Sequence, residues 1–152
     1  MAKSIVDIKE RSSHFDQVVD SIRIMDIIEL DKLLSEERTY MTLPKSVFIE
    51  QLGCVLNYFK KGNASSLLVK TSICAGCEAG ARVCLFICIE EKKYLAFVIE
   101  TNSFQEVTDM YSCNRFTVNN FSEYRSYTQI CFDNDSQRYF DNHLKMEMPV
   151  SR

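Results

Sequence analysis

Four β-type runs crowd into the stretch between Leu67 and Phe116, and they leave the chain few ways to fold. The stretch reads LLVKTSI, CAGCEAG, ARVCLFICI, EEKK, YLAFVIET, NSFQ and EVTDMYSCNRF. Runs rich in Val, Ile, Phe, Tyr and Thr with short polar breaks predict antiparallel strands joined by hairpins. Arg82–Ile89 is apolar on both faces, with Val83, Leu85, Ile87 and Ile89 on one and Cys84, Phe86 and Cys88 on the other. Such a strand belongs in the middle of a sheet and needs a cover on each side. Tyr94–Thr101 reads the same way.

Upstream, the spacing changes to that of helices. Ser13-x-x-Asp16 is a capping-box pattern, and Phe15, Val18, Val19, Ile22 and Met25 follow at helical intervals. A helix from about Ser13 to about Ile28 is predicted. Leu30, Leu33 and Leu34 leave that stripe and predict a short second helix set at an angle. Residues 38–43, RTYMTL, read as one brief strand closed by Pro44.

The clearest helix follows. Phe48, Leu52, Val55, Leu56 and Phe59 form its apolar stripe, and Pro44 suits its first turn. Lys60 and Lys61 suit its negative end, and Gly62 supplies a residue just beyond that is able to take a positive φ. Gly53 inside it costs about 1 kcal/mol relative to Ala and points to a close helix–sheet contact. In the tail, Tyr124 to Phe132 is a candidate further strand, and Asp135 a candidate cap for a last helix.

Helices first, then a meander, is an α+β order. Residues 1–152 read as a single domain: N-terminal helices packed on an antiparallel sheet. Residues 1–12 are expected to be flexible, and 117–152 to form an extension packed on the same domain.

Composition narrows the function classes. With 46% hydrophobic residues the chain has the material for a core. A net charge of −3 argues against a nucleic-acid binder, whose affinity is built from clustered Lys and Arg. No run of about 20 apolar residues is present, so no membrane span is expected. The opening MAKSIVDIKERSS holds no apolar signal region, and the seven cysteines are an odd count. Both features point to reduced thiols in a cytoplasmic protein.

Cys74-Ala-Gly-Cys77 is the local motif with a mechanism attached. Two intervening residues let both sulfurs face one site, as tetrahedral zinc or a reversible disulfide requires. Cys84 and Cys113 are the candidates for a third ligand. Simple EEKK and NSFQ turns put Cys84 beside Ile99 and Thr108, and Cys113 near Tyr94, about 16 Å further along the strand. The candidate metal set is therefore Cys74, Cys77 and Cys84. Redox chemistry wants the motif at a helix N-terminus, whereas this one lies between strands. An ordinary turn ranks first, zinc second and redox third, so no cofactor is expected.

The stretch ELDKLLSEERTYMTLPKSVFIEQLGCVLNYF, residues 29–59, together with the order of elements over residues 13–116, resembles the nuclear transport factor 2-like superfamily. The resemblance implies a cystatin-like α+β cone, with a curved sheet wrapped around helices. The segment before Pro44 leaves room for little of that family's early hairpin. CAGC…DMYSCNRF is also similar to an uncharacterised bacterial branch of the superfamily, which brings no activity with it.

The superfamily includes cyclases, isomerases and dehydratases beside modules without chemistry, and its enzymes place Asp, His or Tyr inside the cone. Asp109 and Tyr111 share one strand face here and are the candidate acid/base pair; water exposure at a sheet edge is the plainer reading. His14 and His143 rank below them. The leading expectation is a small-ligand-binding domain with a cone-shaped apolar pocket and no assignable reaction. A lyase or isomerase using Asp109 and Tyr111 is the first alternative, and a thiol- or zinc-stabilised assembly module the second. A homodimer through the outer sheet face is also expected. There Cys84, Phe86, Cys88, Phe97 and Tyr111 are available for exposed or pocket-lining roles.

Overall fold

Ser13 opens the first helix as its spacing predicts, its Oγ accepting the Asp16 N–H at 3.0 Å. The computed structural model describes residues 12–73, 81–113 and 128–130. Helix α1 (His14–Arg23) buries Phe15, Val18 and Ile22. It stops short of Ile28 because Met25 turns into the left-handed region at φ 59° and Asp26 caps a new helix through the Glu29 N–H. That helix, α2 (Ile27–Leu33), buries Leu30 and leaves Ile28 in solvent.

The expected single strand before Pro44 is a small hairpin, β1 (Thr39–Tyr40) with β2 (Leu43–Pro44). Met41 and Thr42 turn it with φ 56° and 61°. Paired positive φ values are the geometry of a tight hairpin turn, normally signalled by Asn or Gly. Without either residue the turn is invisible in the sequence.

Helix α3 (Lys45–Lys61) carries the predicted stripe, with Phe48, Leu52, Val55, Leu56 and Phe59 all buried. Gly62 does not use that freedom: its φ is −83°, and Asn63 turns left-handed at φ 73° instead. Gly62 serves a different need, because a Cβ there would run into the Glu91 side chain. Gly53 also differs from expectation. A Cβ there would meet Ile27 of α2 at 3.6 Å, an ordinary contact with a helix rather than a sheet. Gly53→Ala should therefore stabilise the fold by up to ~1 kcal/mol, raising the melting temperature by roughly 2–4 °C.

The meander forms as predicted. Strands β3 (Leu68–Ile73), β4 (Arg82–Cys88), β5 (Lys93–Thr101) and β6 (Val107–Ser112) pair antiparallel in that order. In the tail, β7 (Thr128–Gln129) adds two residues parallel to β5, at Lys93 and Tyr94. The class is α+β. The expected CAGC turn, the residues before 12 and the helix after Asp135 lie outside the described residues.

Register differs from the simple-turn expectation. Cys84 pairs with Phe97, and Phe97 with Ser112, because the β4–β5 turn starts at Ile89 and a bulge interrupts pairing between Glu100 and Thr101. Cys113 therefore lies beside Ala96, whose carbonyl accepts its N–H at 2.8 Å, and not near Tyr94.

Both faces of the central strands β4 and β5 are largely buried. Cys84, Phe86, Cys88, Leu95, Phe97, Ile99 and Met110 pack under the helices. Val83, Leu85, Ile87, Tyr94, Ala96, Val98 and Cys113 form a second cluster on the other face. So Cys84, Phe86, Cys88 and Phe97 belong to the inner core and not to an exposed or pocket-lining set. The residues of the outer cluster are 8% exposed or less, while Leu68 and Ile89 on the same face are 41% and 56% exposed.

Candidate functional site

The candidate acid/base pair sits on β6, at the edge where the β1–β2 hairpin meets the sheet. Asp109 pairs across the strands with Glu100, and Tyr111 with Val98. Alternation places Asp109, Tyr111 and Glu100 on one face, as the sequence spacing implies. Their side chains are engaged differently. The Tyr111 hydroxyl donates to Glu100 Oε2 at 2.7 Å. Asp109 Oδ1 accepts the Met41 N–H at 3.1 Å and the Met110 N–H at 2.8 Å.

Asp109 thus holds the left-handed Met41 turn against β6. The Met41 side chain completes the attachment, its Sδ accepting the Ser112 N–H at 3.3 Å. Burial raises the Asp109 pKa above the ordinary carboxylate range, and the nearby Glu100 charge adds to it. The two backbone N–H bonds oppose the rise without cancelling it. A carboxyl with this partner set is a turn clamp, although its raised pKa is what a general base also needs.

His14 is neither a surface residue nor an open base. The Val107 N–H donates to its Nδ1 at 2.9 Å. Its Nε2 lies 2.7 Å from the Leu33 carbonyl, which can only accept, so Nε2 carries the proton. One imidazole thereby ties α1, the end of α2 and β6 together. His143 lies outside the described residues.

Cys74 and Cys77 lie outside the described residues. Cys84, their candidate third ligand, is fully buried beneath the helices with Sγ 3.7 Å from Thr71 Oγ1. Burial pushes its pKa up to about 11, which keeps it a thiol at neutral pH. Cys88 is pushed to about 11 by the same cause. Without a thiolate neither is a ready nucleophile. Cys113 belongs to the opposite face from Cys84, so the two cannot share one ion. Among the described residues no group of three or more His, Cys, Asp or Glu side chains is placed to hold a metal. Arg82, a cation close to the Cys-x-x-Cys segment in sequence, stacks 4.1 Å above the Phe15 ring and donates to Gln105 Oε1.

Lys45 escaped the sequence reading. It is 7% exposed, and its Nζ donates to the Asp31 and Leu34 carbonyls at 2.6 and 3.2 Å and to Glu36 at 3.1 Å. The available signal was a mismatch: a cation in the first turn of α3 opposes that helix's dipole. The charge is used at the negative end of α2 instead.

The space between helices and sheet is filled by side chains. Tyr40, Phe48, Phe59, Phe86 and Phe97 are fully buried, and the Phe48 ring lies 5.5 Å from Tyr40 and 6.2 Å from Phe97. Among the described residues no helix is long and apolar enough to cross a membrane. No family model, no curated protein and no solved structure matches the chain.

Proposed function

We propose that this chain is a non-enzymatic interaction domain that works through its surface. The carrying observation is the engagement of Asp109, the best-placed acid/base candidate, with two backbone N–H groups. The filled interior supports the same reading, since a small apolar ligand inside the cone would have to displace core aromatic rings. The order of two helices, a hairpin, a long helix and a meander also supports a likeness to the nuclear transport factor 2-like superfamily. That likeness bears on fold and leaves activity open.

Substitutions at Asp109 separate a clamp from a catalyst. Asp109→Ala strands the Met41 N–H and should destabilise the fold by about 1–3 kcal/mol, with faster amide exchange in the β1–β2 hairpin. Asp109→Asn keeps an acceptor and removes a charge that burial disfavours. Because the folded pKa lies above the unfolded value, ionisation of Asp109 subtracts stability as pH rises through that raised range. The Asn variant should therefore match or exceed the wild type at pH 7 and lose this slope. If Asp109→Ala is as stable as the wild type, the clamp reading fails and the lyase or isomerase reading returns. A panel of small apolar molecules should leave the melting temperature unchanged; a saturable rise would restore the ligand pocket.

A further inference from the structure

Among the described residues β3 is the end strand of the sheet, and no strand pairs with its outer edge. Five of its six residues are exposed, Ile73 by 77%, and Val69 alone packs partly into the core. An edge six residues long normally carries a device that blocks further pairing, or else it pairs. We propose that β3 is a self-association edge, pairing antiparallel with β3 of a second copy so that two sheets become one. This deepens the reading of the chain as an interaction domain and rests on it.

The side-chain pattern selects both the partner and the register. A two-fold axis normal to the sheet keeps both helical layers on the same side, and it requires paired residues to share a face. Val69, Thr71 and Ile73 pair with Phe86, Cys84 and Arg82 and share the helical face, while Leu68, Lys70 and Ser72 share the other. Only registers centred on a residue satisfy the axis. Centring on Lys70 sets two ammonium groups directly opposite each other, which is unfavourable. Centring on Thr71 sets Thr71 against its own copy, Lys70 against Ser72 of the second copy, and Val69 against Ile73. In that register the exposed Ile73 side chain gains an apolar neighbour twice, and no like charges meet. Lys70 fixes the register without blocking the edge.

Charge substitutions at Ser72, which is exposed, test this register with a sign. Sedimentation equilibrium of the full chain between roughly 1 and 500 µM should show a monomer–dimer equilibrium with a micromolar dissociation constant. Ser72→Lys faces Lys70 of the second copy twice and should weaken the dimer at least ~10-fold, whereas Ser72→Glu should tighten it, more so at low salt. Ile73→Lys should also weaken it, with circular dichroism and melting temperature near those of the wild type. A one-chain mass throughout that range overturns the pairing, and so do equal effects of the two Ser72 substitutions. A dimer lost in Ile28→Lys but kept in Ile73→Lys would place the contact on the helices and overturn it too. None of these failures touches the Asp109 experiment, which tests the interaction-domain reading by itself.

Discussion

Lys45→Met should lower stability at pH 7 by about 2–4 kcal/mol. The size follows from which of the lysine's contacts matter. Its carboxylate partners Asp31 and Glu36 are 54% and 81% exposed, so those ion pairs are largely solvated and contribute little. The carbonyls of Asp31 and Leu34 close α2, and Met would leave both without their donor. Burial pulls the ammonium toward its neutral form, but the hydrogen bonds and charges of Glu36 and Asp31 outweigh this and raise the pKa. A folded value above the unfolded one makes the contribution complete below the ordinary lysine pKa. It is lost as pH rises through the folded value. Urea titrations should therefore show the full gap at pH 7 and a shrinking one above about pH 10. A variant as stable as the wild type at pH 7 would show that water replaces the ammonium at no cost.

His14→Phe should cost a similar ~2–4 kcal/mol while keeping the ring's bulk. The substitution leaves the Val107 N–H and the Leu33 carbonyl without the imidazole that joins them. The two bonds act on separate elements, so the loss should appear as loosening at both ends. Amide exchange at Val107 should accelerate relative to Met110 on the same strand, and the α2 C-terminus should fray. Unchanged protection at Val107 would mean that the imidazole bond is dispensable and the helices are held by packing alone.

The sequence predicted the elements and missed most of the clamps, for physical reasons that differ from residue to residue. The period-two runs from Leu68 to Ser112 and the stripe from Phe48 to Phe59 are repeated signals, so a single ambiguous residue does not change them. The Met41–Thr42 turn carries no Gly or Asn. Its left-handed backbone is held by Asp109, a residue 68 positions later in the chain. Register was misplaced because turn length and the bulge after Glu100 are set by local geometry that alternation cannot record. Asp109 and Tyr111 were placed on one face correctly, whereas the roles of His14 and Lys45 depend on backbone groups of other elements. Nothing local to His14 distinguishes a bridge between Leu33 and Val107 from a solvent-facing imidazole.

The bond between His14 and Val107 spans 93 residues, and the neighbouring Phe15 N–H bonds to the Gln105 carbonyl. Helix α1 is thus completed by the last strand of the meander. At about 5–20 residues per second, helix α1 waits some 5–20 s before its partner strand has even been made. Through that interval its apolar stripe of Phe15, Val18 and Ile22 can pack only against α2, α3 and whatever part of the sheet has emerged. The imidazole bridge closes late, as the stitch between two segments made 93 residues apart.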